Sequence, residues 1–114
     1  LAHLAQEAPD LIVLEMGDGL MGEYGVDEVL SDPMFTRHVT GAVLAANDVI
    51  GAAAAGERLR GWGIDIRVVT GPATDNVAGT RRLQSLGFAA ANSFLDAERL
   101  CQLATAGLVP PEEV

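Results

Sequence analysis

Gly41-Ala42-Val43-Leu44-Ala45, then Asp48 to Arg60, then Ile64-Asp65-Ile66-Arg67-Val68-Val69 is the stretch that decides the fold. The outer two pieces are short apolar runs of strand length. The middle piece places Val49, Ala52, Ala53, Gly56 and Leu59 on one helical face, and Gly61 stops it. A strand, a helix and a strand in that order form a crossover unit. Strands joined this way are parallel and the crossover is right-handed. The early alternation of Ile64 to Arg67 predicts a strand near a sheet edge.

The pattern continues on both sides. Upstream, Leu11-Ile12-Val13-Leu14 is continuously apolar, as a strand covered on both faces should be. Downstream, Asn76 caps a helix carrying Val77, Thr80, Leu83 and Leu86, and Gly87 ends it. Phe88-Ala89-Ala90-Ala91 is a fourth, weaker strand candidate. Ser93 and Asp96 make a capping pair for a helix with Leu95, Leu100, Leu103 and Ala104, closed by Gly107. Pro110-Pro111 reads as an extended tail. Leu1, Leu4, Ala5 and Ala8 share a helical face that Pro9 ends, and Val26 to Leu30 is a short helical turn broken by Pro33. The expected architecture is α/β: an open parallel sheet of about four strands with helical crossovers. It is a Rossmann-like or P-loop-like three-layer sandwich within a single domain over residues 1–114, or the carboxyl-terminal part of one. Such sheets bind ligands beyond the carboxyl ends of their strands.

Composition narrows the function classes. The chain has 114 residues, room for one small core. Net charge is −9, with seven Arg and no Lys. A nucleic-acid surface needs clustered positive charge, which is absent beyond Arg81-Arg82 and Arg58/Arg60. No apolar run reaches the roughly 18–20 residues of a membrane span, and no basic start precedes an apolar run. A reducing, cytoplasmic setting fits the lone Cys101, which reads as a small buried residue without a neighbouring base. A homo-oligomer is compatible with all of this. No Gly-x-Ser-x-Gly, His-Glu-x-x-His or Cys-x-x-Cys occurs, and His38 falls at the amino end of its strand, the wrong edge for a ligand.

Polar residues collect at the predicted strand ends instead. The loop from Glu15 to Gly25 holds four glycines within nine residues, Gly17 to Gly25, and three carboxylates, Glu15, Asp18 and Glu23. Glycines let backbone approach a ligand closely, and hard cations such as Mg²⁺ take one or two carboxylates with water and phosphate oxygens. Asn47-Asp48 follows the second run. One of them caps the helix, and Asp48 suits a ribose hydroxyl better than a phosphate. Thr70-Gly71-Pro72-Ala73-Thr74-Asp75-Asn76 follows the third run and is longer than a cap requires. The chain's three Asn residues, Asn47, Asn76 and Asn92, each follow a predicted strand; Asn92 is read as a cap.

Gly17-Asp18-Gly19-Leu20-Met21-Gly22 also spells G-x-G-x-x-G, the letters of an NAD(P)-binding turn. That turn must run directly into a long helix, whereas Glu23-Tyr24-Gly25 interrupts and Pro33 soon follows. Asp18 would face the pyrophosphate, and Asp48 comes about ten residues late for the ribose-binding acid. An oxidoreductase is the alternative reading, and a non-enzymatic α/β binding module is a third.

Leu11-Ile12-Val13-Leu14-Glu15-Met16-Gly17-Asp18-Gly19 resembles the strand–Glu–Gly-rich segment of P-loop enzymes of the dethiobiotin synthetase and cobyric acid synthase type. The unit from Val43 to Val69 looks like their later half. The resemblance implies ATP and Mg²⁺ as cofactors, Glu15 as a metal ligand and Asn76 or Asn47 as the base-contacting Asn; the nucleotide-enzyme reading of the loop adds Asp18 at the metal and places Glu15 and Glu23 in catalysis. Gly17, Gly19, Asn47, Asp48, Thr74, Asp75 and Asn76 would border nucleotide or substrate. The implied reaction is ligase-type activation of a small carboxylate or amine. Met16 and Asp18 stand where the family favours Gly. No G-x-x-x-x-G-K-[ST] occurs, so the resemblance implies that an upstream segment or partner chain supplies the phosphate-binding loop.

Overall fold

The computed structural model describes residues 1–108 and has a mixed α/β fold. The predicted tail at Pro110-Pro111 lies outside these residues. Three short helices come first: α1 (Ala2–Ala5), α2 (Val26–Ser31) and α3 (Pro33–Thr36). Pro33 breaks α2 and also opens α3, because a helix's first residue needs no N–H. Then follow β1 (Ala42–Ala45), α4 (Val49–Gly61), β2 (Ile66–Thr70), a single 3-10 turn at Pro72–Thr74, α5 (Val77–Ser85) and α6 (Ala97–Thr105).

β1 and β2 pair in parallel, as the crossover unit requires. Their partners are Ala42↔Ile66, Val43↔Val68, Leu44↔Val69 and Ala45↔Thr70. Arg67 is skipped, so β2 carries one extra residue as a bulge. The fourth candidate run reaches the sheet only by the parallel bridge Val69↔Ala90. That bridge is a full one: Val69 N–H donates to Ala89 O at 2.8 Å, and Ala91 N–H donates to Val69 O at 3.1 Å.

The sheet has two strands, β1 and β2, and β2 meets the 89–91 segment through that one bridge. Past the bulge at Arg67, Val68, Val69 and Thr70 are all buried. One expectation about strands needs correction: Leu11 to Leu14 form no strand here. Val13 is 82% exposed and Leu14 45%. A strand needs a ladder partner and cover on both faces, and no described residue provides them.

The core sits on β2. Ala52, Val69, Ala73, Leu83, Phe88 and Ala90 form one buried cluster, which joins α4, α5 and the sheet. Val26, Leu30, Leu59 and Ile64 form a second, under α2. α4 buries Ala52, Gly56 and Leu59 on the predicted face. Gly56 is small for a reason: a Cβ there would lie 2.5 Å from Phe88 Cζ. Arg60 in turn stacks over the Phe88 ring at 4.6 Å from its centroid. Of the predicted inward face of α5 only Leu83 is buried; Val77 and Leu86 are exposed. α6 packs on β2 with Leu100, Leu103 and Ala104 half-buried, and leaves Cys101 exposed on its outer side rather than buried. No described helix is long and apolar enough to cross a membrane.

Candidate functional site

Two clefts open at the carboxyl ends of the strands. The first, of about 390 Å³, is walled by α5, by the 90–92 segment and by the start of α6. Thr74, Asp75 and Asn76 line it, and so does Asn92. The second, of about 350 Å³, is walled by α4 and the end of β1 and takes in Asn47, Asp48 and Arg58. Leu20 and Met21 of the Gly-rich loop line it too. Both volumes fall within the range of small-molecule sites.

Asn92 is the structural centre of the first cleft. It is 7% exposed, and every hydrogen-bonding direction of its amide is used. Its Nδ2 donates to Thr74 Oγ1 at 3.1 Å and to Asp75 Oδ1 at 2.9 Å. Its Oδ1 accepts from Phe94 N–H at 2.9 Å and Leu95 N–H at 3.0 Å. The second pair is the capping role read from sequence, although it caps a turn that precedes α6. The first pair fixes the floor of the cleft, since Thr74 Oγ1 also donates to Gly71 O at 2.7 Å. Gly71 itself has φ 86°, and a Cβ there would lie 2.8 Å from Ala46 O. The β2 end therefore turns tightly against the β1 end.

Asp48 and Asn76 both act as helix caps. Asp48 Oδ1 accepts from Gly51 N–H at 2.6 Å, and Asn76 Oδ1 accepts from Gly79 N–H at 2.7 Å. Capping uses one oxygen of each and leaves the remaining polar atoms at the cleft wall. Ser93 and Asp96 do not cap α6 by a side-chain bond. Thr70 Oγ1, at the end of β2, is buried with no hydrogen-bond partner among the described residues. An orphaned hydroxyl of this kind is destabilising by about 1–3 kcal/mol.

The first loop is placed differently from its sequence reading. Glu15, Gly17, Gly19 and Glu23 are exposed, and Asp18 is half-buried. None of these five lines either cleft. Asp18 Oδ2 accepts from Tyr24 N–H at 3.3 Å, folding the loop over itself. The described residues contain no group of three or more His, Cys, Asp or Glu able to hold a metal, so Glu15, Asp18 and Glu23 do not converge. Gly17 to Gly22 runs into no long helix: α2 starts at Val26 and has six residues.

Sequence reading missed five contributors. Leu20 and Met21 were read only as letters of the glycine motif. Arg81 and Gln84 line the first cleft together with Val77 and Thr80. These four are spaced i, i+3, i+4, i+7, the signature of one helical face, which here carries polar groups at the wall of a cleft. Arg99 of α6 completes that wall. No protein-family model, no curated protein and no solved structure matches this chain.

Proposed function

We propose that this chain is the nucleotide-facing carboxyl-terminal part of an ATP- and Mg²⁺-dependent ligase-type enzyme. One observation carries the reading: the Gly-rich loop and the Asn47-Asp48 turn, far apart in sequence, share one cleft through Leu20 and Met21. Gly51, Ala54 and Ala55 of α4 line the same cleft. Small residues on a helix allow a planar base to lie close. Asn47 offers both a donor and an acceptor to such a base, and the free oxygen of Asp48 suits a ribose hydroxyl. Glu15 and Asp18 would hold Mg²⁺, which supplies charge neutralisation at the phosphates. Glu23 borders the reacting end. Thr74, Asp75 and Asn76 face the neighbouring cleft, where the second reactant, a small carboxylate or amine, would sit. A phosphate-binding loop comes from outside these residues.

Calorimetry of the full chain with Mg²⁺ and ATP, and separately with adenosine, tests the reading. Heat of binding is expected for both, reduced by Asn47→Ala for both and by Glu15→Gln for Mg²⁺-ATP alone. A ligand at 100 times its Kd adds about 2.7 kcal/mol of stability, so a thermal shift should accompany binding. No heat and no shift with either ligand would overturn the proposal. Heat with NADH but not ATP would favour the oxidoreductase alternative.

A further inference from the structure

We infer that the first cleft is a binding site for a small organic dicarboxylate, recognised by Arg81 and Arg99. The inference deepens the ligase reading, and the role of the dicarboxylate as second reactant rests on it; the binding itself does not.

The argument starts from the cations. The chain has seven Arg and no Lys against sixteen acidic residues. Four of the seven have visible work. Arg67 pairs with Asp65 and reaches Ala106 O. Arg58 and Arg60 lie over Trp62 and Phe88. Arg37 donates to His38. Among the described residues the guanidinium groups of Arg81, Arg82 and Arg99 make no hydrogen bond, ion pair or ring stacking. In so acidic a molecule, guanidinium groups without partners are expected to be scarce, because carboxylates are abundant. Two of these three, from different helices, line the same cleft.

The remaining lining selects among anions. Val77 is 65% exposed and Leu95 77%, and both line the cleft beside the buried Ala90 and Ala91. An apolar body on the ligand would cover them. Asp75 and Asp96 line the cleft as well. They oppose a compact, highly charged anion such as phosphate more than one whose charges sit at separated ends. Arg presents a planar fork that matches a carboxylate bidentately. Two forks and an apolar lining in one cleft describe a dicarboxylate with a short hydrocarbon spine.

The test uses adipate as probe, titrated calorimetrically into the full chain without nucleotide, with inorganic phosphate as comparison. Adipate should bind. Arg81→Gln and Arg99→Gln should each weaken it by about tenfold, as lost charge-assisted hydrogen bonds do. Arg82→Gln, one residue along α5 and outside this cleft, should leave it unchanged. All three are exposed and their guanidinium groups have no polar partner among the described residues, so the variants should keep the wild-type urea midpoint. No adipate binding, equal weakening by Arg82→Gln, or phosphate binding as tightly as adipate would each overturn the inference. ATP binding at the second cleft should be unaltered in Arg81→Gln and Arg99→Gln, so failure here and failure of the nucleotide reading are separately visible.

Discussion

Replacement of Asn92 is the sharpest test of how the first cleft is held open. Asn92→Ala removes four hydrogen bonds at once: two from Nδ2, to Thr74 Oγ1 and Asp75 Oδ1, and two to Oδ1, from Phe94 and Leu95 N–H. At a net contribution of about 1 kcal/mol each, the ceiling is about 4 kcal/mol. The partners lower it. Asp75, Phe94 and Leu95 are exposed and can turn to water, while Thr74 is buried but keeps its bond to Gly71 O. A loss of about 2 kcal/mol is therefore expected. Asn92→Asp separates the two halves of the role. It keeps an acceptor for both turn N–H groups but removes the donors and sets a carboxylate beside Asp75. It should be destabilised by at least about 1 kcal/mol at neutral pH, and more so at low salt. The assay is urea unfolding followed by far-ultraviolet circular dichroism. An Asn92→Asp variant as stable as the wild type would refute the claim that Nδ2 ties the cleft floor together. So would an Asn92→Ala loss within experimental scatter of zero.

Two further outcomes follow from backbone geometry. Gly71→Ala places a Cβ 2.8 Å from Ala46 O and 3.0 Å from Ala46 N at a φ of 86°, and the neighbour is backbone that cannot swing away. Its urea midpoint should fall by an amount equivalent to 2 kcal/mol or more, about the upper range of one strained backbone position; an unchanged midpoint would contradict the close approach of the two strand ends. Asp48→Ala should cost about 1 kcal/mol as a lost helix cap, whereas Asp48→Asn should cost little, because Asn caps equally well. If Asp48→Asn nonetheless abolished adenosine binding, the carboxylate would be working at the ligand beyond its cap.

The crossover unit was legible because its signals are local. Asp48 and Asn76 cap where a polar side chain precedes a helical apolar pattern, and Ala52, Gly56 and Leu59 fall inward on a helix of thirteen residues. What failed was non-local. Leu11 to Leu14 has the composition of a buried strand, but composition states a need for cover without naming what covers it. Phe88 to Ala91 has little β propensity, yet two hydrogen bonds to Val69 draw it to the sheet. Cys101 was assigned to the interior by residue type, and the phase of α6 turned it outward. In the candidate site, Asn47, Asp48, Thr74, Asp75 and Asn76 line clefts because strand ends are fixed by topology. Arg81 and Arg99 escaped notice because a charged residue on a helix reads as solvated until the opposing wall is known.

The bulge at Arg67 bears on how the gene could tolerate gain or loss of a codon. Successive side chains alternate between the two covered faces of β2, so losing one residue from Val68 to Thr70 would exchange those faces and misdirect the Gly71 turn. Arg67 is different. Ile66 and Val68 already pair with the consecutive residues Ala42 and Val43, so the strand keeps its phase whether or not Arg67 is present. There the length of β2 can vary without a change of phase, at the loss of the Arg67 contacts to Asp65 and Ala106 O.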